Sequence, residues 1–441
     1  MADLWAALSP GWQDLLLALL LVAPGLLAGL LVLRGLRPLP LAGAMLRRFA
    51  VVNALFVLLI AVSVGLGVGL LAQERGLRQG SARAADKFDL IVAAPGSEVT
   101  AMLAAVYLQP SDMALVSGAQ FAEIAAAEGV EFAAPIAFGD SHQGAPVVGT
   151  TAAFVTHLAG PLAEGRLFAA ATEAVAGAFA PVAVGDSFTP AHGQGPAAGE
   201  EEGAEGGAHG DFAYVVTGRM APTGSPWDRA LLVPVEAVWE VHGLANGHAP
   251  DDPRIGPPFV PELMPGTPAV LVRATELWGN YALKSRFTRS DLMAFFPGTV
   301  LAQLHGLMRE VRAAMSLMAV LTQVLVTLSV LIGLMILVRL IARSLALLRA
   351  IGAPLRFVFA VVWAYSAALI AAGAGLGLAL GWVAARVISG VITARTDVLV
   401  SATPGWAEVH LVAGFVSLTL LMALLPAWLA IRRPLLTDLR G

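Results

Sequence analysis

The chain predicts a membrane α-helical protein of about five transmembrane helices. A large α+β extracytoplasmic domain is inserted between the second and third. Three observations carry this expectation. Hydrophobic residues make up 57% of the 441 positions and charged residues only 13%, a membrane composition diluted by a sizeable soluble part. The apolar residues concentrate in runs long enough to cross a bilayer. The stretch 73–312 holds nearly all the acids, most of the prolines and seven of the eight histidines, so the polar mass sits in one insert.

The first run, Leu15 to Leu33, is uncharged and spans a bilayer. Asp3 and Asp14 precede it where a cleaved signal needs a basic region, so it reads as a retained helix with the N-terminus outside. Pro24-Gly25 can kink it. Arg34, Arg37, Arg47 and Arg48 follow and mark a cytoplasmic link. The second run covers Phe49 to Ala72, with Gly65, Gly67 and Gly69 as a small-residue stripe that lets another helix approach closely.

Gln73 to Lys87 reads as a helical stalk. Phe88–Ala93, Pro146–Thr150, Ala213–Thr217, Ala230–Pro234 and Ala269–Arg273 read as strands. Ser117–Glu128 and Ser290–Met308 read as helices. This mixture gives the α+β class, in a stretch long enough for two subdomains. The remaining spans are Ala313–Val338, Phe357–Ala385 and Ala407–Ile431, with an external loop from Arg386 to Trp406. Gly373, Gly375, Gly377 and Gly381 form a second small-residue face. Arg432, Arg433 and Arg440 hold the C-terminus inside.

Arg339 to Arg356 lies between two apolar runs and carries four arginines and no acid, again a cytoplasmic pattern. Leu345, Leu348 and Ile351 recur at helical spacing. Gly352 can take the left-handed position after the helix, and Pro354 cannot continue it. A short, rigid, partly apolar helix here suits a socket on a cytosolic partner; an ordinary basic loop is the alternative.

The order Arg343-Ser-Leu-Ala-Leu-Leu-Arg-Ala-Ile-Gly-Ala353 resembles the coupling helix of FtsX-like ABC permeases, the superfamily of the macrolide exporter MacB and the lipoprotein-release permeases. That family usually has an acid where Ser344 stands. Asp89–Ser97, Leu162–Phe168, Val184–Phe188 and Val216–Arg229 are similar to successive parts of the external domain of MacB-like permeases, and Pro434–Arg440 to the family's short tail. The resemblance divides the chain into an extra N-terminal helix and link (1–44), a second transmembrane helix (45–72), a MacB-like extracytoplasmic domain (73–312) and an FtsX-like permease domain (313–441) with the coupling helix at 339–356.

The resemblance implies an inner-membrane permease subunit of an ABC transport system, itself no enzyme. It would work as a homodimer or with a paralogue, beside cytosolic ATPase subunits that bind the ATP. Arg343, Leu345, Leu347, Leu348, Arg349, Ile351 and Gly352 would contact the ATPase. Gly65, Gly69, Gly373 and Gly377 would pack helices. Membrane lipid and a periplasmic adaptor or substrate-binding protein are further partners. The alternative within this resemblance is an FtsX-like, non-transporting regulator of an extracytoplasmic hydrolase.

The chain has no P-loop, no G-x-S-x-G and no H-E-x-x-H. It has no cysteine, so disulfides and thiolate metal sites are excluded. It has no basic patch for nucleic acid. The one chemically suggestive segment is Thr189–Asp211, where His192, His209, Glu201 and Glu205 offer ligands for zinc. A metal-linked transporter or sensor would use them; a solvated acidic loop is the simpler reading. His142, His157, His242 and His248 are scattered and read as surface residues.

Overall fold

A computed structural model of the chain describes residues 5, 8–109, 112–192, 212–396 and 398–432. In chain order the elements are α1 (Pro10–Leu33), α2 (Leu39–Arg48), α3 (Ala50–Ala85), β1 (Leu90–Ala93), α4 (Glu98–Tyr107), α5 (Gly118–Ala125), β2 (Val130–Pro135), β3 (Ala137–His142), β4 (Ala145–Thr150) and α6 (Ala152–Ala159). Then come β5 (Glu164–Gly165), β6 (Glu173–Ala176), β7 (Ser187–Phe188), β8 (Ala191–His192), β9 (Tyr214–Arg219), β10 (Leu231–Pro234), α7 (Val235–Val241), β11 (Ala269–Ala274), α8 (Gly279–Phe287) and β12 (Met293–Phe295). The chain continues with α9 (Pro297–Leu340), α10 (Ala342–Ala350), α11 (Leu355–Thr396), α12 (Trp406–Met422) and α13 (Leu424–Arg432).

Two compact units result. One comprises Met1–Leu77, Arg309–Val391 and Ser401–Gly441; the other comprises Arg78–Met308 and Ile392–Val400. Among the described residues, four helical stretches are long and apolar enough to cross a membrane: Pro10–Leu33, Ala50–Ala85, Leu355–Arg395 and Trp406–Arg432. Val324–Leu340 and Ala342–Ala350, bent by 52° at their junction, make a fifth when taken together. Leu20, Leu30, Leu31, Val51 and Leu66 on α1 and α3 are exposed. Such a continuous outward apolar surface suits lipid rather than water.

The core of this helical unit is built from Ile60, Val64 and Val68 of α3, Leu334 and Leu337 of α9, and Val361, Tyr365 and Leu369 of α11. The two glycine stripes meet each other. A Cβ at Gly377 would lie 2.6 Å from Val64 Cβ and 2.8 Å from the Ala61 carbonyl; one at Gly65 would lie 3.1 Å from the Gly377 carbonyl. Gly69 faces Gly381 more loosely, 3.8 Å from its carbonyl, while Gly373 receives Ile60 at 2.6 Å. Only glycine permits this backbone approach. Gly375, on the other side of the same helix, has open space around it.

Several polar groups in the unit are paired. Tyr365 donates its hydroxyl to Asn53, whose amide donates to the Leu46 carbonyl at 2.9 Å. Arg75 pairs with the buried Glu408, which also accepts from the Gly405 amide at 2.7 Å. α1 packs on α12 and α11. The Gly25 amide, just after Pro24, donates to Ser417 Oγ at 3.0 Å, and a Cβ at Gly29 would meet the Trp363 ring at 2.6 Å. His410 ties the start of α12 to the Asp14 carbonyl at 2.8 Å.

The α+β unit contains two sheets. One is antiparallel throughout, in the order β12-β1-β11-β2. The other runs β5-β9-β6-β10-β4-β3-β8, with β7 attached to β9. Its β4–β10 and β6–β9 pairs are parallel. β1 is buried along its whole length, as its Leu-Ile-Val-Ala sequence demands. Ser97, Ser117 and Thr151 cap α4, α5 and α6 through their hydroxyls, and Ser117 forms a capping box with Gln120. Trp227 is fully buried with Phe88 and Phe154, its indole donating to the Ala105 carbonyl at 3.2 Å.

Three expectations change in detail. The stretch Ser290–Met308 is not one helix, because β12 completes a sheet before α9 begins at Pro297. The loop expected from Arg386 is largely helix, since α11 runs to Thr396. Residues 392–400 join the α+β unit, where Val398 and Val400 pack on Ala84 and the Leu399 amide donates to the Gly224 carbonyl at 3.4 Å.

The glycine contact gives a paired prediction. Gly377→Ala lowers the unfolding midpoint of the detergent-solubilised protein, by the equivalent of about 1–3 kcal/mol for overpacking. Gly375→Ala leaves it unchanged or raises it, because alanine stabilises a helix by about 1 kcal/mol relative to glycine. Equal behaviour of the two variants would show that the stripe does not set the packing.

Candidate functional site

Two groups of residues stand out. The first is α10 and its flanks. The chain turns at Ile341, which is fully buried, and α10 leaves α9 at 52°. Its end is fixed by the backbone. Gly352 has φ +97°, its amide donates to the Arg349 carbonyl at 3.1 Å, and the Ala353 amide donates to the Leu348 carbonyl at 3.0 Å. That pair of bonds is a Schellman motif, with glycine at the left-handed position.

The two faces of α10 differ. Leu345 and Ala346 are buried in the helical unit, and Leu348 packs half-buried against its core. Arg343, Ser344, Leu347 and Ile351 are exposed, Leu347 at 53% and Ile351 at 82%. Arg339 and Arg356 are exposed beside them. Of the sequence-derived contact residues, Leu345 therefore anchors α10 to its own bundle, and Leu347 and Ile351 form the outward apolar pair. Arg349 is half-buried. The arrangement is a short, rigid, basic-rimmed helix with two exposed aliphatic side chains.

The second group lies in the α+β unit. Asp140 on β3 and His192 on β8 are directly opposed across the antiparallel pair. His242 caps the C-terminal end of α7. His192 Nδ1 is 3.3 Å and His242 Nε2 is 3.6 Å from Asp140 Oδ1. One ligand atom from each of the three side chains lies within 4.8 Å of the others. The Asp140 carboxylate is buried, the His242 ring is partly covered and His192 is half exposed. His242 Nδ1 is 2.7 Å from the Val238 carbonyl one turn earlier. The imidazole rings of His192 and His242 meet edge to face, 5.1 Å between centroids.

Of the four metal-ligand candidates read from the sequence, His192 belongs to this cluster; His209, Glu201 and Glu205 lie outside the described residues. Asp140 and His242 were not legible as ligands, because they come from elements distant in sequence. Two other histidines expected on the surface are otherwise engaged. His248 is buried, with Nε2 3.3 Å from Glu236 Oε1, and burial pushes the Glu236 carboxyl up from its ordinary range while the Gly256 amide and His248 oppose the shift. His157 Nε2 donates to the Lys87 carbonyl, 2.9 Å away, and burial draws its imidazole down.

No protein-family model matches the chain, and no curated protein matches it either.

The asymmetry of α10 is measurable. Leu345→Ala should destabilise the helical unit by about 2–4 kcal/mol through the cavity it leaves. Ile351→Ala, at an exposed position, should stay within about 0.5 kcal/mol of the parent. Thermal unfolding in detergent reads both; a larger loss for Ile351→Ala than for Leu345→Ala would invert the assigned faces.

Proposed function

We propose that the chain is the permease subunit of an ABC-type system, inserted in the bacterial inner membrane with its α+β unit outside. ATP hydrolysis belongs to a separate cytosolic ATPase that docks on α10. The observation that carries this reading is α10 itself. Its buried face fixes it to the helical unit, its Schellman stop ends it cleanly, and Leu347 and Ile351 project outward among arginines and no acids. The lack of acid between Arg339 and Arg356 supports a cytoplasmic position, and the exposed pair suits helix-in-groove recognition.

In this reading ATPase closure pushes α10. Because Leu345 is locked into the core, the push is transmitted to the packed helices rather than absorbed by a loop. α3, α9 and α11 each continue unbroken from residues of the helical unit into residues of the α+β unit, so they are the levers. Several buried polar side chains of the helical unit pair with one another, as Asn53–Tyr365 and Arg75–Glu408 do. That supports mechanical coupling over a hydrophilic conduit. The work done outside is export, lipoprotein handling or activation of a hydrolase.

Truncating one well-packed interface anchor costs about 2 kcal/mol or more, and a carboxylate placed in an apolar contact costs further. The double variant Leu347→Glu with Ile351→Glu should therefore lose co-purification with the cytosolic ATPase. Its abundance in the membrane should stay normal, because both side chains are already exposed. Full ATPase binding and activity in that variant would reduce α10 to a connecting helix and remove the main support for the ABC reading.

A further inference from the structure

In the Asp140–His192–His242 cluster the tautomer of one ring is fixed by its surroundings. A carbonyl oxygen can only accept, so the 2.7 Å contact with Val238 puts a proton on His242 Nδ1. In the neutral ring Nε2 then carries the lone pair, the form in which an imidazole nitrogen ligates a metal, and it lies 3.6 Å from an Asp140 carboxylate oxygen.

The distances fit a bound ion. A charged N–H···O contact closes to about 2.7–2.9 Å. Here the separations are 3.3 Å and 3.6 Å. Ligands about 2.0–2.1 Å from a tetrahedral ion lie about 3.3–3.4 Å from one another, which the cluster approaches along both edges that meet at Asp140. The supporting shell is the kind that metal-bound histidines use: a backbone carbonyl fixes the tautomer and aims Nε2 inward. Gly139 adds a cradle, because a Cβ there would lie 2.8 Å from His242 Nε2 and 2.9 Å from Cε1. The ring can reach Asp140 only over a glycine.

We propose that Asp140, His192 Nδ1 and His242 Nε2 bind one divalent transition-metal ion of the zinc class. Two imidazoles and a carboxylate, with no thiolate in the chain, suit zinc or cobalt and disfavour cuprous ion. Among the described residues the site offers three ligands, two imidazoles and a carboxylate, a donor set that zinc takes. β8 is, among the described residues, the end strand of its sheet. The ion thus clamps an edge strand to β3 and to the end of α7, making the α+β unit responsive to metal. This inference does not depend on the ABC reading.

The test uses the full chain, purified in detergent, stripped with a chelator and titrated with Co(II), then with Zn(II). One Co(II) per chain, with the visible absorption of a four-coordinate ion and displacement by Zn(II), is the expected result. Asp140→Asn and His242→Gln should each weaken Co(II) binding at least about tenfold, the range for a disturbed metal site. Gly139→Val should do the same without removing a ligand, and His305→Ala should not. Thermal unfolding of the metal-free variants reports whether each still folds. X-ray absorption at the zinc edge of the unmodified protein counts imidazole ligands independently of any variant, and two are expected. Absence of stoichiometric binding, or undiminished affinity in the Asp140→Asn/His242→Gln double variant, overturns the proposal.

Discussion

The close approach of α3 and α11 at Gly65, Gly377 and Gly381 is the constraint on which the helical unit depends. A Cβ at Gly377 or Gly381 would fall 2.6–2.7 Å from Val64 or Val68, so the two backbones touch where most helices would be separated by side chains. This contact places Ile60, Val64 and Val68 against the α11 core. It also brings Tyr365 to Asn53, so a polar group deep in an apolar helix gains a partner. α10 then inherits its position, because Ile341 and Leu345 belong to the same core.

Much of this was legible in the sequence because membrane helices announce themselves twice, by uninterrupted apolar runs and by flanking arginines. The glycine stripes on Gly65–Gly69 and Gly373–Gly381 were legible for the same reason: few forces other than close packing place glycine at such spacing in a helix. Gly352 and Pro354 likewise announced the end of α10, down to the positive φ. The five strands read from β-branched runs all fall within one or two residues of β1, β4, β9, β10 and β11.

The rest was hidden for physical reasons. Leu345, Leu347, Leu348 and Ile351 all suit a helix, and the period alone does not say which of two adjacent stripes turns inward; packing against α9 and α11 decides for Leu345. The strands β5, β7 and β8 are two residues long, too short to show any alternation. The cluster of Asp140, His192 and His242 exists only through the β3–β8 register and the capping position after α7. No local spacing relates these residues, whereas the histidines and acids after Thr189 lie close together in sequence. Gly139 was the nearest local signal, and its meaning depends on a ring brought from elsewhere.

The proposed function requires α10 and the α+β unit to lie on opposite sides of a bilayer. The absence of cysteine from the chain makes this directly measurable. Single substitutions Ser285→Cys on α8 and Ser344→Cys on α10, both at exposed positions, are treated in intact cells with a membrane-impermeant maleimide, stripped first of outer-membrane hindrance. The account predicts labelling of Ser285→Cys in intact cells, and of Ser344→Cys only after the inner membrane is opened. Labelling of both from outside, or the reverse pattern, would contradict it.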